Sequence, residues 1–332
     1  MQCFYVLAIR FNCPFEPRKA RAKFSQPELE CRSEVQSSGS RFSSEYFWIP
    51  LLLTGWHSHP MKSAVTISLA PEAKGGPFVF RDGLAAGCEQ ASRLGFDAVE
   101  IFPASAESLN IKELRSLLKQ HRLQLAGVGT GAGWVKHKLR LTDPDAAIRQ
   151  RAREFASDLV AAAGELGAPA IIGSMQGRCE TELNRPQALD WLGQALEELS
   201  ARAAPFHQVL LFEPLNRYET DVFTRQSEAA IFLRSMQSKN VRLLCDLFHM
   251  SLEERSIPDT LLEVGSLIGH IHWADSNRQA MGFGHTEVAP IVAALGKSGY
   301  SGYLSAEVFP LPDGLTAAQQ SLDSFRRWAS FS

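Results

Sequence analysis

The chain is poor in the features that most directly name a function. Its six cysteines (Cys3, Cys13, Cys31, Cys88, Cys179 and Cys245) are scattered, with no C-x-x-C pair and no zinc-finger spacing, which argues against a disulfide framework and against a cysteine-held metal. Reduced thiols in a cytoplasmic enzyme fit that spacing. Long apolar runs are missing too: the densest near the N-terminus, residues 47–56, is too short to cross a bilayer and carries Pro50. The apolar stretch 3–9 gives way to Arg10 with no small-residue cleavage site, so a secretory signal is not expected. Neither stretch points to a membrane. Positive charge is in no surplus, because 34 Lys and Arg meet 36 Asp and Glu for a net charge of −2, and nucleic acid is therefore not a favoured partner. Nucleotide loops are absent as well. G-x-G-x-x-G does not occur, and the glycine-rich stretch 129–137 lacks the G-K-[ST] ending of a P-loop. It is read instead as a flexible active-site loop in which Trp134 offers a substrate an apolar wall.

What is present is enough chain, of ordinary soluble composition, for one large α/β domain: 332 residues, 45% hydrophobic and 21% charged, against about 250 residues for a (β/α)8 barrel. Residues 1–60 differ from the remainder. Basic and serine-rich stretches at 18–23 and 33–44 lie between isolated aromatic clusters without a sustained period, which predicts a poorly ordered N-terminal extension. Met61 is followed at once by a strand-like run, so either the true start of translation is Met61 or the extension is a targeting or docking arm. The folded domain is expected at 61–332.

From Met61 onward strand-like and helix-like segments alternate, which is the pattern of repeated β/α units. Strands are expected at 64–69, 98–102, 123–128, 170–173, 209–213, ending at Asp246, ending at His272, and at 303–308. Helices are expected at 81–94 with Gly95 as C-terminal stop, from a cap at Ser108 or Asn110 to His121, from Asp143-Pro144 to Leu166, and at 186–202, 227–236, 252–264 (broken), 288–295 and 316–328. Eight of each is the number a closed barrel needs, giving an α/β (β/α)8 fold class; a doubly wound open sheet is the alternative.

The chemistry concentrates at the ends of the last four strands. Short apolar runs lead into Glu213, Asp246, His272 and Glu307. A single carboxylate at a strand end commonly caps a helix or begins a loop, but all strand C-termini of a parallel barrel open on one face, so four in succession can converge. Three carboxylates and one imidazole suit one divalent cation, Mn²⁺, Mg²⁺ or Co²⁺, with Zn²⁺ compatible. Such an ion, chelated by a carbonyl and the neighbouring hydroxyl, stabilises the enediolate left when a C–H proton departs. Glu213 and Glu307, from the fifth and eighth strands, are then placed to act as an acid/base pair. His270 is expected to face the helices in a structural role, and Glu100 and His285 to be ordinary rim residues.

The segments Glu213-Pro-Leu-Asn-Arg-Tyr-Glu219, Asp246-Leu-Phe-His249 and His272-Trp-Ala-Asp-Ser-Asn-Arg278, followed by Glu307, closely resemble the xylose-isomerase-like barrel superfamily, nearest its ketose 3-epimerase and hydroxypyruvate isomerase branches. The resemblance covers Met61 to the C-terminus and is strongest from the fifth strand onward. It implies metal ligation by Glu213, Asp246, His272 and Glu307, and substrate-oxygen contacts by Glu219, His249 and Arg278. It also implies a small sugar as substrate, with assembly into a homo-oligomer compatible. The extension and the loops after strands one to four depart from the family pattern. A metal-dependent dehydratase, an apurinic-site endonuclease and a non-catalytic sugar-binding barrel are the alternatives; the endonuclease needs extra histidines on early strands that strands two and three do not supply.

Overall fold

A computed structural model of the chain describes residues 60–179 and 185–329. The expected extension at 1–60 lies outside the described residues, Pro60 excepted. The eight strands are β1 (Lys62–Ser68), β2 (Ala98–Phe102), β3 (Gln124–Gly129), β4 (Ala170–Ile172), β5 (Leu210–Phe212), β6 (Val241–Asp246), β7 (Ile268–His272) and β8 (Tyr303–Ala306). Each pairs in parallel with the next, and β8 returns to β1 through Lys62 beside Tyr303 and Val65 beside Ala306. The sheet is closed, so the open-sheet alternative is excluded.

Strand alternation accounts for where everything sits. Side chains two apart share a face, and one parity of each strand packs outward: Val65, Ile67, Val99, Ile101, Leu210, Phe212, Leu243, Cys245, Ile271 and Leu304 all belong to the main core beneath the helices. The other parity faces the barrel interior. Small residues Ala64, Ala98 and Ala126 fill one side of it, and Ile171, Leu211 and Leu244 the other. Continuing that inward parity by one more step brings each strand to its polar end: Leu211 to Glu213, Leu244 to Asp246, His270 to His272, Ser305 to Glu307.

The surrounding helices are α1 (Leu84–Leu94), α2 (Ile111–His121), α3 (Ala132–His137), α4 (Ala146–Glu165), α5 (Arg185–Ala203), α6 (Gln226–Ser235), α7 (Leu247–Glu253), α8 (Ile257–Val264), α9 (Val288–Lys297) and α10 (Gly314–Trp328). Asn110 caps α2 as expected, its side-chain oxygen accepting from the Glu113 N–H at 3.1 Å. Four details differ from the sequence reading. The first helix begins at Leu84, because Arg81 spends its guanidinium on loop carbonyls, among them Ala73 at 3.0 Å and Phe78 at 3.2 Å. The broken sixth helix is two helices, the first starting directly after β6. The helix at 288 runs through Gly296 to Lys297. Finally, the glycine-rich stretch expected to be a flexible loop contains α3: Gly133 is required there by close packing, since a Cβ would lie 2.6 Å from Met175 Sδ.

Candidate active site

The four strand-end residues arrive at one point by register. Asp246 and His272 are paired neighbours on β6 and β7, His272 pairs with Ser305 two residues before Glu307, and Glu213 follows β5 directly. One ligand-capable atom from each of Glu213, Asp246, His272 and Glu307 lies within 4.8 Å of the others. His272 Nδ1 is at the centre, 3.3 Å from Glu213 Oε1 and 3.5 Å from both Asp246 Oδ2 and Glu307 Oε2. Asp246 serves twice, because its other oxygen, Oδ1, accepts from the Phe248 N–H at 2.8 Å and caps α7. Gly173, just past β4, leaves the space that the Glu213 carboxylate occupies; a Cβ there would collide with Oε2.

The donor set fits a divalent cation by its own geometry. Glu213 Oε1, Asp246 Oδ2 and His272 Nδ1 are buried without a hydrogen-bond partner, an arrangement that costs about 1–3 kcal/mol per group unless something polar is held between them. Three carboxylates cannot be crowded together in a low-dielectric site without a compensating positive charge. Burial, with the Glu213 and Asp246 charges and against His272 and Arg278, pushes the Glu307 carboxyl up to about 8. Although burial disfavours its charged form, the imidazolium of His272 is raised well above the usual histidine range by Glu307 and Glu100. Asp246 is held below the usual carboxylate range, burial being outweighed by His249, His272 and Arg278.

Around this centre opens a cavity of about 520 Å³ whose wall includes Glu213, His272, Glu307, Glu219, Arg278 and Trp134. Arg278 is delivered by a loop knotted around Asp275, whose carboxylate is fully buried and accepts backbone N–H groups of Ser276, Gly282, Gly284 and Thr286 at 2.7–3.0 Å. The turn holds Arg278 at φ 58°, in the left-handed region. From there its guanidinium donates to Glu219 Oε1 at 3.1 Å and Glu307 Oε2 at 3.0 Å. Trp134, on α3, is half-buried, with Lys138 Nζ 4.9 Å from its ring centroid.

Residues 88–328 match the family described as the xylose isomerase-like TIM barrel. The chain belongs to that family. D-psicose 3-epimerase of Agrobacterium fabrum is 28% identical over 242 residues, which is 71% of this chain and 80% of that protein. A putative hydroxypyruvate isomerase of Streptomyces coelicolor is 29% identical over 245 residues, 67% of this chain and 84% of that one. In fold, the solved D-psicose 3-epimerase with D-tagatose from Clostridium cellulolyticum H10 superposes with a TM-score of 0.68 at 24% identity, covering 80% of this chain and 99% of the other.

Within this xylose isomerase-like barrel the placements expected for His270 and Glu100 need correction, and that of His249 gains its local reason. His249, expected to hold substrate oxygens, is buried beside the four-residue centre, its Nε2 4.0 Å from Glu213 Oε1 and 3.6 Å from Asp246 Oδ2. Its Nδ1 accepts from the Asn216 N–H at 3.2 Å. The reason is that α7 begins immediately after Asp246, so residue 249 folds back one helical turn beneath it. His270 was expected to face the helices, yet it lies inside the barrel with its Nε2 2.8 Å from Glu100 Oε2. Residues two apart on a strand share a face, so His270 follows His272 inward. Glu100, expected to be an ordinary rim residue, sits in the β2 interior with Oε1 3.2 Å from His272 Nε2. Alternation on β2 and β7 was the signal that finds both.

Proposed function

We propose that the chain is a divalent-metal-dependent isomerase or epimerase acting on a ketose or another small hydroxy-carbonyl compound. Residues 61–332 form its catalytic domain, and the cytoplasm is its location. The observation that carries the reading is the meeting of Glu213, Asp246, His272 and Glu307 around one point, with three of the facing atoms buried and unpartnered. Relatives named D-psicose 3-epimerase, L-ribulose 3-epimerase and putative hydroxypyruvate isomerase support the same reaction class.

In this reading those four residues hold the ion, and Mn²⁺, Mg²⁺ or Co²⁺ suits their oxygen-rich set, with Zn²⁺ compatible. When bound, the ion draws charge from a sugar carbonyl and its neighbouring hydroxyl and acidifies the C–H beside the carbonyl. The remaining work belongs to the chain. Glu213 leaves from β5 and Glu307 from β8, so their carboxylates reach a bound sugar from different sides. One removes the proton and the other returns a proton, a contribution typically of about 10² to 10⁴ in rate. Return to the opposite face of the same carbon gives the epimer; return to the neighbouring carbon exchanges ketose and aldose. Arg278 links Glu307 to Glu219 and so aligns both with substrate oxygens, while Trp134 walls the reacting carbons from water. His249 joins Glu219 and Arg278 in holding substrate oxygens, while its Nδ1 steadies the Asn216 turn.

Incubation of the Mn²⁺-loaded protein with a panel of ketoses in D₂O tests the reading. The expected result, by NMR, is an isomeric product with deuterium at a single carbon beside the carbonyl. A product lighter by one water would make the chain a lyase, and sugar binding without exchange would make it a non-catalytic barrel; either overturns the proposal.

A further inference from the structure

Resting on the reading above, we infer that Glu100 and His270 form a relay that fixes His272 with Nδ1 facing the cation, which makes both of them positioning residues of the metal centre. The three groups form a chain inside the barrel, from β7 to β2 and back. Glu100 Oε2 is 2.8 Å from His270 Nε2, and Oε1 is 3.2 Å from His272 Nε2. An ionised carboxylate only accepts, so both Nε2 atoms carry hydrogens. Once His272 is neutral, as a ligand must be, its lone pair is thereby left on Nδ1, the atom that faces Glu213, Asp246 and Glu307.

Such a device is needed because of what surrounds that nitrogen. A neutral imidazole carries one proton and can place it on either nitrogen. Three carboxylate oxygens within 3.5 Å draw it to Nδ1, where it would exclude a cation. Glu100 supplies the opposing pull on the far side of the ring. His270 occupies the second Glu100 oxygen, so the carboxylate cannot rotate away, and its ring stands edge-on to His272 with centroids 5.6 Å apart.

The same three residues could be taken for a second cation site, since they too offer ligand atoms in a cluster. The distances favour the relay: 2.8 and 3.2 Å are hydrogen-bond lengths. Moreover, none of the buried atoms left without a partner belongs to Glu100 or His270, whereas Glu213, Asp246 and His272 each have one.

Two measurements test the relay without using turnover. Long-range ¹H–¹⁵N NMR on histidine-labelled, Zn²⁺-loaded wild-type protein should show His272 protonated at Nε2; a proton at Nδ1 overturns the proposal whatever the variants do. Calorimetry with Mn²⁺ should show affinity weakened about 10- to 100-fold in Glu100→Gln, whose amide can accept from only one of the two histidines. The loss should be smaller in His270→Phe, and no greater in the double variant than in Glu100→Gln. Unchanged affinity in Glu100→Gln, or strictly additive losses, overturns the relay while leaving the metal reading intact. A wild-type protein that binds no divalent ion removes both.

Discussion

Cation binding to this site should expel protons, as the electrostatics of the four-residue cluster require. Burial pushes the Glu307 carboxyl up to about 8, and His272, though burial disfavours its charged form, is raised well above its usual range by Glu307 and Glu100. Glu307 raises His272 only when it is itself ionised, so the two groups hold their protons as one pair. A cation must displace whatever protons the pair holds, because only a carboxylate and a neutral imidazole can be ligands. Both groups have raised proton affinity in the cation-free site, so metal affinity must rise with pH. Each displaced proton steepens the binding free energy by about 1.4 kcal/mol per pH unit. From pH 6 to 7 the association constant for Mn²⁺ should therefore climb about tenfold or more. Isothermal titration calorimetry in buffers of different ionisation enthalpy counts the protons directly, with at least one expected at pH 6.5 and fewer in Glu307→Gln. A binding heat independent of the buffer, with affinity flat between pH 6 and 8, would refute this electrostatic picture.

Other consequences can be measured on single variants. Glu213→Gln and Glu307→Gln should each retain the far-ultraviolet circular dichroism of the wild type while losing about 10² to 10⁴ in the rate of substrate deuterium exchange. Asp246→Asn keeps an oxygen able to cap α7, so the metal-free protein should melt near the wild-type temperature yet show no Mn²⁺-induced shift. Asp246→Ala also loses the cap, and denaturant titration should find the metal-free protein about 1 kcal/mol less stable. Gly173→Ala puts a methyl group where the Glu213 carboxylate sits, and calorimetry should show weaker Mn²⁺ binding with little loss of thermal stability.

The fold and the four-residue centre were legible because both follow from strand alternation in a parallel barrel. An apolar run that ends on a polar residue of the inward parity delivers that residue to the mouth, and four successive strands do so. Trp134, Glu219 and Arg278 line the cavity. The residues misread were those whose role depends on a partner elsewhere in the chain. Glu100 lies between Val99 and Ile101 in an ordinary strand; alternation turns it inward but does not say that it meets two histidines 170 and 172 positions away. The seat of His249 against Asp246 depends on α7 following β6 without a connecting loop. The glycines of α3 look like a loop in sequence because close packing and flexibility call for the same residue.

The most direct measurement is anomalous diffraction at the manganese edge from crystals grown with Mn²⁺. A single peak per chain is predicted, with Glu213, Asp246, His272 Nδ1 and Glu307 at the 2.0–2.6 Å typical of such ligands. A peak between Glu100 and His270 instead, or none at the barrel mouth, would contradict it.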